Sequence, residues 1–227
     1  GARAVVTPKG FVAEQVLGWV EQHRITLTMW VPTMLSMLVR SGAAARHDTR
    51  SLTKIWYGSS PITPTLLNQV RATFRADLYQ FYGLTETGMN AVLRPEDHLL
   101  SAHCTGREMF NADLRIVDES GADVGVGGIG EIISRREPMG MIGYINNERA
   151  TREAIVDGWI RTGDLARNEG DGLFTVVDRK KDMLISGAEN VYPKEIEIVI
   201  AEHPEVLEVA VFGIPDPVYG EAVCAAV

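Results

Sequence analysis

Leu78-Tyr79-Gln80-Phe81-Tyr82-Gly83-Leu84-Thr85-Glu86-Thr87-Gly88 is the stretch from which the rest of the chain can be read. Its first half is a β-prone run and its second half breaks into Gly, Thr and Glu, so a strand delivers an aromatic face, a hydroxyl and a carboxylate at one end. Those groups suit a nucleotide: Tyr82 can stack on a base, the Thr85 hydroxyl can bond a phosphate oxygen, and Glu86 can hold a Mg2+ ion that offsets phosphate charge. Taken alone, a strand closing in a glycine turn with Thr85 and Glu86 merely solvated is the simpler reading.

Upstream, helical and strand patterns alternate. Residues 1–6 read as a strand entered partway, and Phe11, Val12, Val16, Leu17 and Val20 fall at helical spacing. Residues 25–31 are β-prone, and Pro32 restarts a helix with Met34, Leu35, Leu38 and Val39 on one face. A strand over 52–57 runs into the turn Gly58-Ser59-Ser60-Pro61, and 64–74 is an amphipathic helix. Such alternation implies a largely parallel sheet whose sites lie beyond the strands' carboxyl ends, where both Gly58-Ser59-Ser60 and 82–87 fall.

Downstream of about residue 102 the pattern changes to short strands and turns: 114–117, the turn 118–121, 130–134 and 174–177, interrupted by a helix-like run over 147–156. After Asp182 come a strand at 183–185, a helix opening at Pro193 with Ile196, Val199 and Ile200 on one face, and strands at 207–212 and from 222. The expected fold class is therefore α/β, with a layered α/β part over 1–101 and a small β-rich part over 102–180. A small α+β domain begins at 181–227. The polar run 178–182 is the linker candidate. Both ends interrupt apolar runs, which implies a segment of a longer protein.

Composition narrows the classes. The 227 residues are 45% hydrophobic and 23% charged, enough for one or two globular domains. No apolar stretch reaches the roughly 20 residues of a spanning helix, and the first residues lack the build of a signal peptide, so a cytoplasmic location is expected. A net charge of -8, with Lys and Arg interleaved among carboxylates, argues against a nucleic-acid surface. Cys104 and Cys224 are far apart, and the five His residues show no metal spacing, so neither type is assigned chemistry.

Two more segments carry candidate chemistry. In Trp159-Ile160-Arg161-Thr162-Gly163-Asp164, Asp164 stands in a Thr-Gly-Asp turn where a carboxylate can take both hydroxyls of a ribose, with Arg179 offering donors from the other side. The plain alternative is a surface turn with Trp159 plugging a core. In Asp178-Arg179-Lys180-Lys181-Asp182, the basic run is equally an exposed loop.

In this order, residues 82–88, 159–164 and 178–182 resemble the signature blocks of the adenylate-forming enzymes, the superfamily of acyl-CoA synthetases, peptide-synthetase adenylation domains and luciferases. The resemblance extends over nearly the whole chain. It implies an acid–thiol ligase that converts a carboxylate, ATP and CoA to acyl-CoA, AMP and pyrophosphate through acyl-AMP, with Mg2+ as cofactor. Alternatives are a ligase loading a carrier protein and a non-catalytic nucleotide-binding module.

By the same resemblance Gly58, Ser59, Ser60, Gln80, Tyr82, Gly83, Thr85, Asp164 and Arg179 hold ATP and AMP, and Glu86 holds Mg2+. Trp30, Gly58, Gly83 and Met89 line the acyl pocket, with Met29, Pro32, Thr33 and Asn90 nearby. Ser59 and Ser60 depart from the family's smaller residues. Lys181 matches the hinge about which the small domain rotates. Residues 186–193 resemble the CoA-synthetase version of the next block, with Gly187 opening a path for pantetheine and Ala188 where a second Gly is common. Thr7-Pro8-Lys9-Gly10 lacks the preceding Gly/Ser/Thr-rich run and is rejected as the phosphate loop. That loop is expected upstream of this segment and the family's catalytic Lys downstream, so the segment alone is expected to be a poor enzyme. Which acid is activated, fatty or aromatic, and whether the protein is a homo-oligomer stay open.

Overall fold

A computed structural model describes residues 1–99, 104–203 and 205–227. They divide into two compact units: Gly1–Phe81 with a short stretch that starts at Arg94, and Tyr82–Leu93 with the remainder of the chain.

In the first unit helices alternate with parallel strands: α1 (Ala13–His23), β1 (Leu27–Trp30), α2 (Pro32–Ser41), β2 (Lys54–Gly58), α3 (Pro64–Thr73) and β3 (Asp77–Leu84), which leaves the unit at Phe81. Leu27, Lys54 and Asp77 share one register line. The helices start and stop where the chain's chemistry says they should. Pro32 and Pro64 occupy first turns, the Thr63 hydroxyl accepts from Leu66 N–H (3.3 Å), and Gly42 closes α2 at φ 62°. Leu17, Leu35, Leu38, Ile55, Leu67 and Val70 are essentially inaccessible and form the core. Residues 1–8 form no strand, against expectation. Val6 is 91% exposed, and a β-prone sequence without a ladder partner gains nothing from extending.

Within this core the Tyr57 hydroxyl lies 2.8 Å from His98 Nε2, and His98 Nδ1 lies 2.7 Å from the Arg94 carbonyl. The carbonyl requires a proton on Nδ1, so Nε2 accepts from the phenol. Burial lowers the His98 pKa and keeps the ring neutral.

The second unit is predominantly antiparallel. The end of β3 turns into β4 (Gly88–Leu93), followed by β5 (Gly106–Glu108), β6 (Leu114–Val117), β7 (Ile129–Arg135), α4 (Glu148–Ala154), β8 (Ile155–Val156), β9 (Trp159–Gly170) and β10 (Leu173–Arg179). Strand order is β4-β5-β10-β9-β7-β6, with β8 on β9. Then β11 (Leu184–Ser186), β12 (Glu189–Val191), α5 (Pro193–Ala201), β13 (Ala210–Asp216) and β14 (Gly220–Ala226) form a small sheet in the order β12-β11-β14-β13. Asn147 caps α4 through Ala150 N–H (3.1 Å), whereas α5 has no cap of its own and borrows one: Asp178 Oδ2 accepts from Lys194 N–H (2.9 Å).

Two expectations need correction here. Asp164 does not stand in a turn but inside the twelve-residue strand β9. Three residues of β9, Thr162, Gly163 and Asp164, lie between the partners of Glu131 and Ile133, against Ile132 alone on β7, so the Thr-Gly-Asp sequence forms a bulge with Gly163 at φ 72°. Turn-forming residues do this when strands on both sides, β7 and β10, already hold the chain extended. Trp159 is not a core plug: it is half-buried, with the Arg135 guanidinium 4.5 Å and that of Arg115 5.5 Å from its ring.

Candidate nucleotide site

The site candidates of the second unit, Gly187 apart, lie on the β3–β4 hairpin, at the β9 bulge and at the end of β10. The hairpin is narrow because Gly83 faces Gly88: a Cβ on Gly83 would overlap the Gly88 carbonyl. The turn is closed by Thr87 N–H on Leu84 O (3.2 Å). Below it Thr87 is buried, and its Oγ1 accepts from Leu84 N–H (3.2 Å) and Asn90 Nδ2 (2.7 Å). With Thr87 pointing inward, Thr85 and Glu86 are left outward, Thr85 exposed and Glu86 half-buried. Met89 is 43% exposed, whereas Asn90 is 2% exposed and serves the hairpin's hydrogen bonds instead of a pocket wall.

Tyr82, Asp164 and Arg179 come together although they lie far apart in sequence. The Tyr82 hydroxyl donates to Asp164 Oδ2 (2.8 Å), and Arg179 Nε donates to Asp164 Oδ1 (3.0 Å). The Asp164 side chain is 7% exposed and that of Arg179 48%, so the pair is a buried anion under a half-open cation. The Tyr82 ring meets Phe174 edge-on at 5.8 Å. Burial, then the neighbouring Asp164 charge, holds the Tyr82 phenol well above the ordinary tyrosine range, so it remains a donor.

The bulge itself is held by Glu131, which the sequence reading missed. This β7 carboxylate accepts from Gly163 N–H (3.3 Å), from Arg161 Nη2 (2.7 Å) and from Lys180 Nζ (3.4 Å). Burial alone would raise its pKa, but the Arg161 hydrogen bond and the Arg161 and Lys180 charges outweigh it and hold the carboxyl below its ordinary value. The available signal was a carboxylate among inward residues of an apolar strand. Lys180 N–H also bonds Gly163 O (2.8 Å), and Lys181 follows it, exposed, in the turn between β10 and β11. Gly163, Arg179, Lys180 and Lys181 line an open cavity of about 290 Å3.

Gly187 and Ala188 form the two-residue turn between β11 and β12, both at positive φ (59° and 69°). A Cβ on Gly187 would come within 3.0 Å of the Tyr219 ring.

In the first unit, Gly58 ends β2 with Phe81 as its partner in β3, and a Cβ there would overlap the Phe81 carbonyl. Ser59 is exposed at φ 71° and Ser60 is exposed; Gln80 pairs with Tyr57 across the ladder. Trp30, expected in the acyl pocket, is 5% exposed and packs on Phe74 at 5.9 Å, so it serves the core.

Parallel strands with helices, an antiparallel unit with a bulged strand and a small second sheet make up the fold of the adenylate-forming enzymes. The family description "AMP-binding enzyme" matches residues 1–145, and "AMP-binding enzyme C-terminal domain" matches residues 195–227. The chain belongs to the AMP-binding enzyme family.

Among curated relatives it is 41% identical to an indoleacetate–CoA ligase of Aromatoleum aromaticum, over 100% of this chain and 44% of that protein. It is 40% identical to a medium/long-chain-fatty-acid–CoA ligase of Mycobacterium tuberculosis, over 100% of this chain and 40% of the relative. Among solved structures, the amide bond synthetase McbA from Marinactinospora thermotolerans superposes with a TM-score of 0.90 at 36% identity, covering 96% of this chain and 45% of that one. The chain thus spans less than half the length of these relatives.

Proposed function

We propose that this chain is part of an ATP-dependent acyl-CoA ligase. In the reaction a substrate carboxylate attacks the α-phosphorus of ATP, expelling pyrophosphate and leaving acyl-AMP; the CoA thiol then attacks the acyl carbon, forms the thioester and releases AMP and the thiol proton. The observation that carries the reading is the meeting of Tyr82, Asp164 and Arg179, which puts an aromatic ring, a buried carboxylate and a guanidinium at one place. In this reading Tyr82 stacks on the adenine, Asp164 takes the ribose hydroxyls and Arg179 bonds them from the open side. Gly83 adds to the nucleotide's surroundings, and Met89 with Gly83 borders the acyl group.

Thr85 binds a phosphate oxygen, and Glu86 is the cation ligand. Its carboxylate fits Mg2+: it is a hard oxygen donor, its Oε2 accepts no hydrogen bond among the described residues, and Mg2+ usually takes one or two carboxylates alongside substrate phosphates. Bound there, Mg2+ would offset phosphate charge. Catalysis is then positioning and charge stabilisation. Residues 1–180 form the end of a large domain in this reading and 181–227 the start of a mobile one, with Lys181 the hinge and Gly187 beside pantetheine. The likeness to an amide bond synthetase supports a second reading, in which an acceptor other than CoA takes the acyl group.

The test is carboxylate-dependent ATP–pyrophosphate exchange in the natural full-length protein, with a panel of fatty and aryl acids, followed by CoA-dependent AMP release. Exchange with one class of acid, and its loss in Thr85→Ala and Glu86→Ala, is the expected result. Undiminished exchange in both variants refutes the site; exchange without CoA-dependent AMP release favours another acceptor.

A further inference from the structure

We propose that Tyr144 is a positioning residue that orients the Glu86 carboxylate toward its cation. The inference rests on the reading of Glu86 as the cation ligand. Glu86 is gripped twice by the segment between β7 and α4: its carbonyl accepts from Met141 N–H (2.7 Å), and its Oε1 accepts from the Tyr144 hydroxyl (3.0 Å). One carboxylate oxygen is thereby fixed and the other left for a ligand.

The gripping segment is itself braced. Arg136 Nε donates to Met141 O (3.2 Å), and Gly140 N–H donates to Arg136 O (2.6 Å). Tyr144 N–H donates to Thr151 Oγ1 (2.9 Å), whose own hydroxyl donates to Asn147 O (2.9 Å). Two glycines permit this closeness. A Cβ on Gly140 would lie 2.5 Å from the Arg136 carbonyl and the Ile160 side chain, and one on Gly143 would lie 2.7 Å from the Thr151 methyl. The phenol is thus presented by a segment with little slack.

Orientation matters for this cation. Mg2+ demands near-octahedral geometry, whereas a free Glu side chain in a turn samples several rotamers, each of which points the carboxylate elsewhere. Groups that hydrogen-bond a metal ligand from behind fix it in place, and their loss commonly weakens metal affinity by about 10- to 100-fold. A segment serving only to tie down the hairpin needs the Met141 bond, not a hydroxyl on the carboxylate.

The experiment compares calorimetric binding of Mn2+–ATP and of metal-free ATP, without any carboxylate substrate, to full-length wild type, Tyr144→Phe, Glu86→Gln and the double variant. Tyr144→Phe should weaken Mn2+–ATP binding about 10-fold and leave metal-free ATP unchanged. Glu86→Gln should weaken it at least as much, and the double variant no further, since the tyrosine acts through the glutamate. Wild-type Mn2+–ATP affinity in Tyr144→Phe with weakened binding in Glu86→Gln overturns the inference and leaves the role of Glu86 standing. Unchanged affinity in Glu86→Gln removes both. Should Tyr144→Phe fail to fold, Thr151→Val, which removes the hydroxyl that seats Tyr144, carries the same comparison.

Discussion

The two units are held together by different means. Among the described residues, fourteen buried hydrophobic ones form one cluster in the first unit, and the corresponding cluster in the second has four, Ala91, Ile132, Ala166 and Phe174. The second unit also buries Val117, Ile133, Ile160, Leu165 and Val177 outside that cluster, and interleaves them with polar groups: Thr87, Asn90, Glu131, Ser134, Thr162, Asp164 and Asp178 are all under 10% exposed. Hydrophobic packing is non-directional and tolerates displacement, whereas hydrogen bonds fix distances and angles. The first unit is therefore held by packing, and the second holds a set of oriented groups at the cost of desolvating them.

That contrast can be broken by substitution, beginning with the largest effect. Leu35 is wholly buried, and Leu35→Ala should cost about 3 kcal/mol of stability, read as a lower urea midpoint. Folded Leu35→Ala protein should bind nucleotide as the wild type does; weakened binding by the folded fraction would show that the core also sets site geometry.

Glu131→Ala should cost about 2 kcal/mol, because the Gly163 N–H and the Arg161 guanidinium lose a shared acceptor. Its distinguishing effect is on the bulge: amide exchange should accelerate over Gly163–Leu165 relative to the first unit. Uniform acceleration would mean that Glu131 serves only general stability.

Ala188→Gly should raise stability by about 1 kcal/mol, since Ala188 sits at φ 69°, where a Cβ crowds the backbone. A lower melting temperature in this variant would show that Ala188 contributes contacts outweighing its strain.

The smallest effect is one of pH. His47 Nδ1 lies 3.0 Å from Glu21 and Nε2 2.8 Å from Glu14, and the bonds to Glu21 and Glu14 raise its pKa above 6.5. A raised folded pKa means stabilisation fully present below 6.5 and lost as pH climbs through the folded value. Thermal melts across that window should show the decline in wild type and a flatter profile in His47→Gln.

What could be read from the chain follows from the range of the forces involved. Pro32, Pro64 and Pro193 mark helix starts, and the alternation over 11–84 gives the parallel layer, because helix caps and apolar periodicity act within a few residues. Strand β4 escaped notice because Gly88 and Asn90 are poor strand residues; β4 is held extended by the hairpin to β3 and by its pairing with β5.

The sequence by itself determined the family and the α/β class and singled out Tyr82, Asp164 and Arg179, which the structure brings together, since signature residues keep their order along the chain whatever their distance in space. Only tertiary structure decided that Thr162-Gly163-Asp164 is a bulge and not a turn, that Glu131 holds it, and that Tyr144 reaches back to Glu86 across 58 positions. Each of those depends on strands or segments brought together by the pairing of distant β-ladders, and local sequence carries no record of which donor will find which acceptor.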